Sequence, residues 1–118
     1  MITVNQVYDT LVNALPNVYV TKYYNRINEQ LPCVYFRESH NPVFRYIQLN
    51  RADQQMRLVV YIEVYGEGID EIVQTVEDTF KQMFFIEELC EMIPNYDPSI
   101  ERVSMRFQRI ITGGDTLE

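Results

Sequence analysis

The sequence predicts an α+β fold: an antiparallel sheet of four to five strands, with two main helices packed on one face, in the order α-β-β-β-α-β. Residues 54–66 alternate between apolar and mixed side chains, the period of two that puts successive residues on opposite faces of a strand. Residues 2–15 and 68–84 repeat apolar side chains every three or four positions, which is typical of amphipathic helices.

Composition indicates one domain across residues 1–118, with residues 113–118 expected to be a flexible tail. The chain is 47% hydrophobic and 23% charged, an ordinary globular composition that allows one core. Its net charge of -7 argues against a nucleic-acid-binding protein, because binding to the phosphate backbone needs a basic face. Two distant cysteines without CxxC spacing indicate free thiols in a reducing compartment, and we expect neither an export signal nor a membrane span.

The first helix has a clear start and stop. Thr3 stands at the N-cap position and Gln6 follows three residues later, which predicts a capping box. Pro16 ends the helix because the residue before a proline is pushed out of the helical region. Its apolar stripe consists of Val4, Val7, Tyr8, Leu11, Val12 and Leu15.

Three further strands are predicted before the central one, each rich in β-branched or aromatic residues or alternating in polarity: 18–24, 33–38 and 43–49. Residues 39–42, which include His40, should form a turn, and residues 50–53 a second turn. The strand at 43–49 and the central strand should then form a hairpin. Consecutive strands are expected to be antiparallel.

The central strand has one apolar and one mixed face. The apolar face is predicted to be core: Met56, Leu58, Val60, Ile62 and Val64. The opposite face carries Arg57, Val59, Tyr61, Glu63 and Tyr65. A partly solvent-exposed face of this kind is typical of an antiparallel sheet that is covered on one side only.

The second helix carries Asp70 and Glu71 in its first turn, where the helix dipole favours acids. After it, residues 85–93 keep the helical spacing of apolar residues, so we expect a further turn or two of helix there. Residues 101–111 alternate again and predict a last strand. The alternation slips near Arg109, which indicates a bulge or a change of exposure.

The sequence predicts no catalytic residue, no cofactor and no metal site. Cys33 and His40 are the only candidate nucleophile and base, and nothing in the sequence brings them within hydrogen-bond reach. No phosphate-binding glycine loop is present. Glu87, Glu88 and Glu91 form an acidic face that is either solvated or meets a basic strip on a neighbour.

The candidate functional residues are those of a subunit interface: Tyr61, Tyr65, Arg57, Arg102, Arg106, Arg109, Glu87, Glu88 and Glu91. Aromatic residues and arginine are enriched at protein interfaces. Arg102, Arg106 and Arg109 could also be scattered surface arginines or bind phosphate. An RNA-binding sheet would use aromatic residues as well, but the charge of -7 opposes it.

Residues 51–68 (RADQQMRLVVYIEVYGEG) and 102–118 (RVSMRFQRIITGGDTLE) resemble the small tail-terminator or tail-completion (neck) proteins of long-tailed bacteriophages and prophages. Those chains have an N-terminal helix, an antiparallel sheet, and a second helix after a strand that ends in a "VYG"-like turn. They close with a strand that has an Arg-Phe core. The matching points here are residues 64–66, the helix from Gly68, and Arg106 with Phe107.

The resemblance implies a structural protein without catalysis or cofactor. Such proteins form a homo-oligomeric ring, commonly a hexamer, that caps the tail tube and joins it to the head connector proteins. The implied location is the tail–head junction of the virion, assembled in the bacterial host cytoplasm. DNA would only pass through the channel, with no specific binding and no membrane contact, since acidic subunits repel DNA.

Three other readings stay open. The chain could be another phage head–tail adaptor or a baseplate component, which belongs to the same class. It could be a small ligand-binding regulatory α+β domain with a partly apolar pocket. An enzyme would have to depend on the region around Cys33 and His40.

Overall fold

The computed structural model describes residues 2–27, 29–42 and 55–112. These residues form an α+β fold with two α-helices and a five-stranded mixed sheet in the order β1-β2-β3-β5-β4. The elements are α1 (Val4–Ala14), β1 (Tyr19–Thr21), a short 3-10 helix (Tyr24–Arg26), β2 (Cys33–Pro42), β3 (Gln55–Gly66), α2 (Asp70–Gln82), β4 (Ile86–Met92) and β5 (Glu101–Thr112).

Helix α1 begins with the predicted capping box. The Gln6 backbone N–H donates to the Thr3 hydroxyl at 3.2 Å, and the Thr3 N–H donates to Gln6 Oε1 at 2.9 Å. Val7 and Leu11 from its apolar stripe are completely buried. The prediction of this helix and of its start is confirmed.

Strand β3 is the centre of the sheet, as predicted, and pairs antiparallel with both β2 and β5. Leu58, Val60, Ile62 and Val64 are completely buried on the face that meets the helices. Both helices contribute to the same core cluster as these residues, so they pack on one face of the sheet. The opposite face of the sheet, turned away from the helices, is called the outer face below.

The pairing of β1 corrects the expected antiparallel sheet. Strand β1 lies parallel to β2, with Tyr19 opposite Cys33 and Thr21 opposite Tyr35. The Tyr23 N–H donates to Thr21 Oγ1 at 3.0 Å, so the strand ends after three residues instead of running through 18–24. The following stretch, which includes the 3-10 helix, is long enough to return the chain to the starting end of β1.

Strand β2 is longer than predicted. It stays paired with β3 as far as Pro42, which lies opposite Met56, so the predicted turn at 39–42 is wrong. Residues 39–42 each lie opposite a residue of β3, so the antiparallel ladder continues through them. The predicted strand at 43–49 and the turn at 50–53 lie outside the described residues, as does the predicted tail at 113–118.

The prediction of further helix at 85–93 is also wrong, because residues 86–92 form β4. Helix α2 ends with Phe84 in the left-handed region at φ 63°, and the Phe85 N–H donates back to the Phe80 carbonyl at 2.9 Å. In β4 the register shifts between Glu87 and Leu89. Such a bulge puts residues three apart on one face, which imitates the spacing of a helix.

The last strand is confirmed, and its irregularity is a change of exposure. The ladder between β3 and β5 is continuous to the pair of Gln55 and Thr112. Arg109 therefore lies on the helix side, and Ile110, 51% exposed, lies on the outer face. The predicted alternative, a bulge near Arg109, is therefore wrong; the register shift that the sheet does contain lies in β4, between Glu87 and Leu89.

Candidate interaction surfaces

One end of the outer face is covered by the chain itself. Ile27, just after the 3-10 helix, packs with Cys33 and Tyr65 in a second, smaller core cluster. Tyr24 meets Tyr35 edge to face, with ring centroids 5.8 Å apart. This covered end removes Tyr65 from the surface, although the sequence placed it in the candidate interface.

The middle of the outer face is more open. Arg37, Tyr61 and Arg106 lie side by side across β2, β3 and β5. The Arg37 guanidinium carbon stands 4.1 Å from the centroid of the Tyr61 ring. We define the open outer surface as Arg37, Arg57, Tyr61, Arg106 and Gln108, whose members are half-buried or exposed. Three of the predicted interface residues, Arg57, Tyr61 and Arg106, therefore share one surface.

Arg102 belongs to a network inside the covered end. Its Nε donates to Glu63 Oε2 at 2.6 Å, and the Tyr65 hydroxyl donates to the same oxygen at 3.0 Å. Burial and the neighbouring Glu63 carboxylate raise the pKa of Tyr65 above its ordinary value. This network ties β3 to β5 within one chain.

Arg106 and Arg109 of the predicted interface also have partners within the chain. Arg106 Nε lies 3.2 Å from a Glu88 carboxylate oxygen, across β5 and β4. Arg109 Nη1 donates to the Met83 carbonyl at 2.7 Å, and its guanidinium lies 5.6 Å from the centroid of Phe84. Arg109 thus satisfies a carbonyl at the end of α2, where helices leave carbonyls unpaired and favour cations.

The acidic residues of β4 divide between its two sides. Glu91 lies opposite Ser104 on the outer side, whereas Glu87 lies on the helix side and shares a hydrogen bond with Glu77 of α2. That hydrogen bond, together with burial and the nearby Glu77 charge, raises the pKa of Glu87 to about 7. The two carboxyl groups are therefore stabilised when they share a proton.

A metal could find three donors at this place. One donor atom each from Glu77, Glu87 and Cys90 lie within 4.8 Å of one another. Burial and the two glutamates also raise the pKa of the Cys90 thiol. Because metal ligands must be deprotonated, a bound ion would have to displace protons from both Glu87 and Cys90.

The shared proton predicts a pH effect on stability. The pKa of Glu87 is about 7 in the folded chain, against an ordinary value of 4.5. The shared proton therefore contributes fully to the stability of the fold below about pH 4.5, and this contribution is lost as the pH rises through 7. The stability of Glu77→Gln, taken relative to that of wild type, should therefore increase as the pH rises from 5 to 8. The gain should be roughly 0.5 kcal/mol or less, because water screens both groups.

Urea denaturation of both proteins at several pH values measures this difference. Glu91→Gln is the matched control, since Glu91 lies on the other side of β4 and should show no such trend. A difference between Glu77→Gln and wild type that stays constant with pH would contradict the shared proton.

The candidate nucleophile and base are far apart. Cys33 is the first residue of β2 and His40 lies seven residues further along the same strand, or about 23 Å at the usual rise. Cys33 is completely buried, and burial raises the pKa of its thiol to about 11. Cys33 and His40 therefore do not form a nucleophile–base pair.

The chain matches no protein-family model, and no curated protein is significantly similar to it. Within the described residues, no helix has the length and apolar character to cross a membrane. Sequence reasoning missed two participants in these surfaces. Arg37 could have been found from the alternation of β2, whereas Glu77 depends on the contact of α2 with β4 and left no signal in the sequence.

Proposed function

We propose that this chain is a tail-terminator-like structural protein of a long-tailed phage or prophage. In this role it closes into a ring, caps the tail tube and joins it to the head connector. The resemblance of residues 51–68 and 102–118 supports the proposal, together with an α+β chain whose two helices lie on one side of a central sheet. The observation that carries it is the open outer surface.

The open outer surface has the composition of a protein interface. The Arg37 guanidinium lies over the Tyr61 ring, and this amphipathic pair stands at the middle of the sheet. Tyrosine and arginine are the residue types that most often anchor interfaces. At one border of the surface Ile86 and Ile110 are 65% and 51% exposed, which adds apolar area. A neighbouring copy would cover these groups.

A ring requires head-to-tail contacts, in which one surface of each copy meets a different surface of the next. The open outer surface serves as one of the two. Each copy carries a net charge of -7, so a closed ring would be strongly negative overall. DNA would then pass through without adhering to the wall.

Oligomeric state is the direct test. Native mass spectrometry of the full chain, alone and with purified tail tubes, should detect a ring, with a hexamer as the expected form. Tyr61→Ala should weaken assembly at least about tenfold, as expected for an interface anchor. Tyr96→Ala is the matched control, because Tyr96 is fully exposed and lies outside the open outer surface.

Two results would count against the proposal. One is a chain that stays monomeric at every concentration, with and without tubes. The other is a ring that Tyr61→Ala leaves intact. Electron microscopy of a phage lacking the gene supplies the functional test, and abnormally long tails or tails separated from heads are the expected result.

A further inference from the structure

The two edges of the sheet are unlike. At the β1 edge the Tyr8 hydroxyl of α1 donates to the Val20 carbonyl at 3.1 Å. Lys22 Nζ stands 4.4 Å from the centroid of the Tyr8 ring and donates to Asn5 Oδ1 at 3.1 Å. With only three residues in β1 and α1 fastened across them, this edge offers little to another strand.

The β4 edge is open. The Ile93 N–H donates to the Arg102 carbonyl at 2.8 Å, so the peptide groups of Ile93 point towards β5. Because these directions alternate along an antiparallel strand, the peptide groups of Met92 and Cys90 point away from the sheet. Both residues are exposed, and no described residue bonds to these outward groups. Two outward peptide groups, two residues apart, match the spacing of a strand ladder.

Charge determines which strand this edge can accept. Three of its seven residues are glutamates and none is a cation. A second copy of β4 would bring glutamates against glutamates, and like charges opposite each other destabilise strand pairing. The bulge beside Glu88 further limits pairing with an identical edge. A strand that carries lysine or arginine would instead meet opposite charge.

A groove beside β4 has room for one such side chain. Its volume is about 480 Å³, and Glu77, Asp78 and Glu87 line it together with Phe85 and Phe107. Gln74 and Lys81 complete the lining. Lysine and arginine bury their apolar stems against such aromatic groups and keep their charged heads near water and carboxylates. The crowded carboxyl pair of Glu77 and Glu87 would gain a cation as its partner.

We infer that β4 is a docking edge for an extended segment of a different protein, in which lysine or arginine alternates with apolar residues. The segment adds a strand to the sheet beside β4, and one of its basic side chains enters the groove at Glu77 and Glu87. This inference does not rest on the proposed ring, because it uses the β4 edge and not the open outer surface.

The test uses the full chain and a fluorescent eight-residue peptide that alternates arginine with valine, at about 150 mM salt to screen non-specific attraction. Cys90→Pro removes an outward N–H and leaves the bonds to β5 in place, since proline is tolerated on an edge when its nitrogen faces outward. We expect Cys90→Pro to bind the peptide at least tenfold more weakly than wild type. Cys90→Ala should bind it as wild type does.

A second measurement does not depend on how the proline variant folds. The same peptide with all backbone amides methylated should bind wild-type protein at least tenfold more weakly, although its charge is unchanged. Equal binding of the two peptides would show attraction by charge alone and overturn the inference. It would also be overturned if the peptide did not bind, or if the chain paired with itself through β4 and Cys90→Pro abolished that dimer.

Discussion

Phe80→Ala is expected to lower the free energy of unfolding by about 3–5 kcal/mol, the largest effect of any single truncation we propose. Phe80 is completely buried where α2 meets the sheet. Its ring is stacked on Phe107 at 4.3 Å between centroids, and Phe85 meets it edge to face at 5.2 Å. Alanine would leave a cavity between two aromatic rings that stand on different elements and cannot both move in to fill it.

Urea denaturation followed by circular dichroism measures this loss. Phe84→Ala is the matched control, because Phe84 belongs to the same segment but its side chain is 61% exposed. We expect that control to change stability by less than about 1 kcal/mol. Similar losses for the two variants would mean that Phe80 does not anchor α2 to the sheet.

The second large effect concerns two neighbours on β3 that face opposite ways. Ile62→Ala should cost about 2–5 kcal/mol, since Ile62 is completely buried between the sheet and the helices. Tyr61→Ala should cost about 1 kcal/mol or less, chiefly through the lost contact with Arg37. One step along the strand therefore separates a residue that maintains the fold from one that is available to a partner.

Denaturation midpoints and oligomeric state, measured on the same two variants, test this separation. Ile62→Ala should lower the midpoint strongly. Tyr61→Ala should retain most of the stability and lose association. If Tyr61→Ala were as destabilised as Ile62→Ala, its effect on assembly would only report unfolding, and Tyr61 could not be assigned to an interface.

Sequence periodicity predicted the elements whose pattern is set by one buried face. The stripe of α1 with its capping box and the alternation of β3 and β5 agree with the structure, because burial on one side leaves the residue period unbroken. The pattern of β4 was misleading, since its bulge places Ile86 and Leu89 on one face at helical spacing. No local signal gave the parallel pairing of β1, which depends on the path of the chain after it.

The candidate site was predicted in part. Alternation on β3 and β5 placed Tyr61 and Arg106 on one face, and the register brings them opposite each other. Sequence spacing could not show that Arg102 would pair with Glu63, or Arg106 with Glu88, because these partners are 39 and 18 residues away along the chain. Burial of Tyr65 under Ile27 likewise follows from the return of the chain over the sheet.

The contrast between the edge sealed by Tyr8 and the exposed edge at β4 also bears on aggregation. A fibril of stacked strands can grow only if every molecule has two unpaired strand edges, so that each added copy exposes a new edge for the next copy. Here, once β4 has acquired a neighbouring strand, the opposite edge of the described sheet, where Tyr8 lies against β1, offers little to a further copy. We therefore expect strand addition to stop after one step, which would limit uncontrolled polymerisation of this acidic chain.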